Sequence, residues 1–69
     1  MALSARNQLR GRVKEVNLGG VMGHIVIQFG ENEIESVITR RSVEEMKLQV
    51  GDEVTVVIKS TEIRAKPII

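Results

Sequence analysis

The chain has 69 residues, no cysteine, one histidine (His24) and one aromatic residue (Phe29). That length fits one small domain, expected over residues 1–69, and the missing cysteines exclude disulfides and thiolate metal centres. Ten Lys and Arg against nine Asp and Glu leave a net charge of +1, which gives no global field toward nucleic acid or anionic lipid.

A core of this size contributes only about 3–5 kcal/mol, and small chains usually add a disulfide, a metal or a partner subunit. A lone His24 cannot form a two-histidine zinc site within one chain. Self-association is the reinforcement left. The 42% apolar content argues the same way, because with one aromatic the core must come from Val, Ile, Leu and Met. No charged-then-apolar leader and no apolar run near the ~18 residues of a membrane span can be found, so the expected location is the cytoplasm, off the membrane.

The first element is a strand in which Leu9, Gly11, Val13 and Glu15 alternate with Arg10, Arg12, Lys14 and Val16, giving one strongly charged face. Asn17-Leu18-Gly19-Gly20 reads as a turn. Residues 24–29, β-branched and bounded by Gly23 and Gly30, form a second strand. Glu31-Asn32 makes a tight turn into a third strand over 34–39. Ser42-Val43-Glu44-Glu45 has the form of a capping box, so a short helix is predicted to start at Ser42, with Met46 and Leu48 plugging one end of a barrel. Val50-Gly51-Asp52 launches a fourth strand over 53–59, and residues 61–65 make a short fifth one that Pro67 stops. Five strands with one short helix between the third and fourth is the order of an all-β, OB-like barrel. Residues 33–40 resemble residues 53–60, with Ile38 aligned on Ile58, as any two β-branched strands would; this is not read as a repeat.

Catalysis is poorly served. Nucleophilic mechanisms need a base beside the nucleophile, and the one histidine opens an apolar strand. Glu44 and Glu45 are adjacent on the predicted helix and do not face each other. The expectation is a binding protein and no enzyme, with no catalytic residues. An OB-type nucleic-acid module using the basic first strand is the alternative, but such modules stack bases on aromatic side chains and only Phe29 is present.

Four segments carry a resemblance: "SARNQLRGRV" at residues 4–13, "GGVMGHIVI" at 19–27, "ITRRSVEEMKL" at 38–48 and "GDEVTVVIKSTEI" at 51–63. Together with the chain length they resemble molbindin, the Mop family of small cytoplasmic molybdate-binding proteins of the TOBE type. The resemblance implies an OB-like barrel that dimerises and assembles as a hexamer, a trimer of dimers, binding molybdate or tungstate at subunit interfaces. It implies the free-standing form, acting in molybdenum storage or homeostasis, with no cofactor and with the metal held as an oxyanion.

The chemistry of the ligand agrees with those residues. Molybdate is a tetrahedral dianion, so its site needs donors and should exclude carboxylates. Ser4, Ala5, Arg6 and Asn7 offer a hydroxyl, successive backbone N–H groups and a guanidinium, while Lys59 and Ser60 offer an ammonium and a second hydroxyl. Lys59 follows Ile58 in an alternating strand and should point away from its own barrel. By resemblance, Gly20, Val21, Met22 and His24 lie near a second oxyanion site, where glycines let the backbone approach a ligand. The family usually ends in an apolar strand, whereas here Arg64, Lys66 and Pro67 interrupt it.

Overall fold

A computed structural model describes residues 6–68. The elements run β1 (Asn7–Leu18), β2 (Met22–Phe29), β3 (Asn32–Thr39), α1 (Arg40–Met46) and β4 (Glu53–Ile58), followed by a 3-10 turn at Ser60–Glu62. The strands pair antiparallel in one sheet of order β3-β2-β1-β4.

The organising element is β1, whose 12 residues serve two partners. Its first half pairs with β4, from Asn7 opposite Ile58 to Arg12 opposite Glu53. Its second half pairs with β2, from Arg12 opposite Gln28 to Leu18 opposite Gly23. The change of partner requires a bend, and two residues allow it. Gly11 leaves room for β2, since a Cβ there would lie 2.6 Å from Ile27 Cγ2 and 2.9 Å from the Gln28 carbonyl oxygen. The register also slips between Val13 and Glu15, so Lys14 is the extra residue of a bulge. The expected unbroken alternation is corrected here. Past the bulge the faces exchange, so that Val16, not Glu15, packs against the core.

The β2–β3 turn uses Gly30 at φ +60°, the first central position where a two-residue hairpin wants glycine. Asn32 therefore belongs to β3, paired with Phe29, and the turn lies one residue earlier than expected.

The core is Val13, Ile25, Ile27 and Val43, with Val16, Ile38, Leu48, Val54 and Val56 packed around it. Each fully buried aliphatic side chain of this kind contributes about 1.5–3 kcal/mol. Helix α1 starts at Arg40, two residues before the expected Ser42, because Thr39 closes β3 in an extended conformation and its Oγ1 accepts from the Ser42 backbone N–H at 3.1 Å. Ser42 is thus the capped residue, and its hydroxyl takes a second bond from Thr39 at 2.8 Å. Glu44 and Glu45 pair with Arg40 and Arg41 along the helix surface at 3.4 and 2.9 Å. Val43 inserts into the core, Leu48 packs beside it, and Met46, expected as a plug, is 55% exposed. Lys47, at φ 54°, ends the helix in the left-handed conformation.

The expected fifth strand over 61–65 does not form. A strand needs a neighbour's free edge, and at Ser60 the chain turns off the end of β4: the Glu62 N–H donates to the Lys59 carbonyl at 2.9 Å, and residues 63–68 run exposed without regular structure. The all-β, OB-like character remains, but among the described residues the sheet has four strands and is not closed. An apolar groove of about 490 Å³ opens along the core, between Ile38 on β3 and Val54 and Val56 on β4.

Candidate functional site

Ser4 and Ala5 lie outside the described residues. The other members of the first set come together because of one ladder. Asn7 and Ile58, 51 positions apart in the chain, are Cα partners at the terminal rung of the β1–β4 pairing, and the Asn7 Nδ2 donates to the Ile58 carbonyl at 3.4 Å. Arg6 immediately precedes this rung and Lys59 immediately follows it. The inner-face positions of β4 are Val54, Val56 and Ile58, half-buried, so Lys59 is exposed as the alternation predicts. Ser60 follows as the first residue of the 3-10 turn and is exposed as well.

The electrostatics of this end differ from those of the sheet's outer face. Arg12 pairs with Glu53 at 3.4 Å, and Lys14 donates to Glu33. That hydrogen bond, reinforced by the Glu33 charge, pushes the Lys14 pKa up. Among the described residues neither Arg6 nor Lys59 has an ion-pair partner.

The second set sits at the opposite end of β1. Gly20 is exposed in the β1–β2 loop, a Cβ there would meet nothing within 4 Å, and Val21 is 75% exposed. The loop is fixed by the Gly19 N–H donating to the Met22 carbonyl at 2.8 Å. Arg40, which no motif singled out, anchors it too: its backbone N–H donates to the Val21 carbonyl at 2.7 Å and its Nη1 to the Gly19 carbonyl at 3.1 Å. Its position just after a strand gave no sequence signal for this contact. His24 lies on β2, with Nε2 2.6 Å from Glu35 Oε1 and Nδ1 3.5 Å from Asn17 Nδ2. The structure therefore joins Gly20, Val21 and Met22 to Arg40, while the His24 ring is engaged by a carboxylate and an amide.

A cleft of about 410 Å³ lies between Arg10, Arg12, Gln28, Phe29 and Glu53, with Phe29 half-buried. Among the described residues no group of three or more His, Cys, Asp or Glu side chains is placed to hold a metal ion, and no helix is long and apolar enough to cross a membrane.

Comparison with known proteins places the chain. The TOBE domain profile matches residues 3–65. Molybdenum-pterin-binding protein 1 of Clostridium pasteurianum is 44% identical over 64 residues, spanning 91% of this chain and 94% of that protein. A high-resolution structure of a molybdate-binding protein from Sporomusa ovata superposes with a TM-score of 0.92 at 39% identity, over 97% of this chain and 100% of the other. The cytoplasmic molybdate-binding protein ModG, solved with molybdate bound, superposes at 0.80 with 36% identity, over 87% of this chain and 43% of that one. The chain belongs to the TOBE domain family, and within it to the molbindin type.

Proposed function

We propose that this protein binds molybdate or tungstate as the intact oxyanion, for storage or homeostasis of molybdenum in the cytoplasm, and that it acts by binding and not by catalysis. The observation that carries this reading is the terminal rung of β1 and β4. Asn7 is opposite Ile58 there, Arg6 precedes that rung and Lys59 and Ser60 follow it, which supports a site built from one guanidinium, one ammonium, a hydroxyl and backbone N–H groups. Ser4 and Ala5, which directly precede Arg6, extend the same donor set. Charge-assisted hydrogen bonds contribute about 1.5–3 kcal/mol each, so a few convergent ones reach micromolar affinity. Similarity to the molybdate-binding protein of Sporomusa ovata and to ModG solved with molybdate bound supports the choice of anion.

The assembled state belongs to this reading. We take residues 1–69 as one binding module, working as a homo-oligomer, a hexamer built as a trimer of dimers, with anions held between subunits. The open groove supports it: half-buried Val54 and Val56 and the unclosed side of the sheet need cover that the described residues do not provide. Closure of the OB-like barrel to five strands would accompany assembly. A second anion site around Gly20, Val21, Met22 and His24 is supported by the open loop and by the Arg40 guanidinium on it.

Native mass spectrometry with and without sodium molybdate tests the reading. A hexamer that takes up molybdate or tungstate in preference to sulfate, with no affinity for a mixed-sequence oligonucleotide, is the expected result. A stable monomer that ignores molybdate, or tight oligonucleotide binding with a steep salt dependence, would overturn it.

A further inference from the structure

We infer that the Asn7 side chain is the positioning residue of the oxyanion site, holding the Lys59–Ser60 segment in place through the Ile58 carbonyl. This rests on the oxyanion reading and adds a role for a side chain to it. Asn7 differs from its neighbours in where it lies. Arg6 and Gln8 are exposed, whereas Asn7 falls on the inner-face parity of β1 with Leu9, Gly11 and Val13 and is half-buried. Its carboxamide faces the last residue of β4 and donates through Nδ2 to the Ile58 carbonyl oxygen at 3.4 Å.

That carbonyl is the last one before the chain leaves the sheet. Beyond it Lys59 keeps an extended conformation, φ −66° and ψ 139°, and the 3-10 turn starts at Ser60. Both proposed donors of this segment thus hang from the peptide that Asn7 holds. Asn7 opposite Ile58 is the last rung of the ladder, so the Lys59–Ser60 segment leaves the sheet there, and the side-chain bond adds a second tie at that exit. A donor that must be ordered at the moment of binding loses affinity to the ordering entropy. An amide suits the task where a carboxylate would not, since it donates without adding negative charge.

A double-mutant cycle on the assembled protein tests the assignment, with sodium molybdate titrated into the parent, Asn7→Ala, Lys59→Ala and the double variant. Each single change should weaken binding about tenfold or more, and the double variant should bind within about twofold of Lys59→Ala alone, because Asn7 acts through the segment that carries Lys59. Multiplicative losses would make Asn7 an independent ligand, and unchanged affinity in Asn7→Ala would make it merely structural; either result overturns the assignment. Should Asn7→Ala not assemble, hydrogen exchange in ligand-free Asn7→Ser decides. Faster exchange confined to residues 58–61 supports positioning, and unchanged or sheet-wide acceleration overturns it. A parent that binds no molybdate would instead overturn the oxyanion reading itself.

Discussion

Strands β2 and β4 are both rich in β-branched residues and have opposite fates in the fold. On β2, which lies between β1 and β3, Ile25, Val26 and Ile27 are all buried, with Ile25 and Ile27 joining the core on the inner face. On β4, Val54, Val56 and Ile58 are only half-buried, because the strand is an edge and its inner face borders the open groove. One strand supplies stability and the other carries the proposed binding end. The same division runs along β1, whose second half joins β2 in the core and whose first half, which Arg6 precedes, holds Asn7 beside β4.

Stability measurements can break this comparison most directly. Ile25→Ala should cost about 2–5 kcal/mol in urea unfolding, the usual range for emptying a buried aliphatic position. Val56→Ala should cost about 1 kcal/mol or less where the protein is dilute enough to dissociate, and its cost should climb toward that of Ile25→Ala as the concentration rises. A Val56 cost that is large and independent of concentration would mean that β4 is covered within one chain.

Lys59→Ala addresses the binding end. Stability should stay within about 0.5 kcal/mol of the parent, as for most exposed positions. Molybdate affinity, read by titration calorimetry, should fall by about 1.5–3 kcal/mol, roughly ten- to a hundredfold, with loss of a charge-assisted bond to a dianion. An unchanged affinity would reduce Lys59 to a solvated charge.

The smallest effect concerns Lys14, the bulge residue that pairs with Glu33 across the outer face. Its pKa is raised in the folded protein by the hydrogen bond to Glu33 and by that charge. The pair's stabilising contribution is therefore complete below the ordinary lysine pKa and lost as the pH rises through the raised value. Unfolding curves of the parent and Lys14→Gln should differ slightly at neutral pH and converge at strongly alkaline pH. A difference that persists there would be unrelated to the Lys14 charge.

The strands were legible because β-branched runs bounded by turn residues are a local property: residues 24–29 and 53–59 both form strands, with boundaries that hold to within a residue or two, although β4 alternates while β2 buries Ile25, Val26 and Ile27 in succession. The donor-rich chemistry of residues 4–7 and 59–60 was legible for the same reason, since residue type alone shows which groups donate. The helix start was misplaced because Ser42 and Thr39 both offer a capping hydroxyl, and only the backbone path decides that Thr39, leaving β3 extended, takes the role. Arg40 escaped notice because its contact with the Gly19 carbonyl joins the start of α1 to a loop 21 positions away in the sequence.

The sequence by itself determined the first four strands and the presence of one helix, the absence of cysteine chemistry, the apolar positions and the two stretches rich in hydrogen-bond donors. Only the tertiary structure decided that β1 divides between two partners, that Lys14 bulges, that the chain turns off the sheet at Ser60 and leaves residues 61–65 unpaired, and that Asn7 meets Ile58. The physical reason is range. Alternation and turn chemistry act over a few neighbouring residues, whereas pairing depends on which strand edges are free once the chain has closed on itself, and the oxyanion site we propose is made at such a pairing.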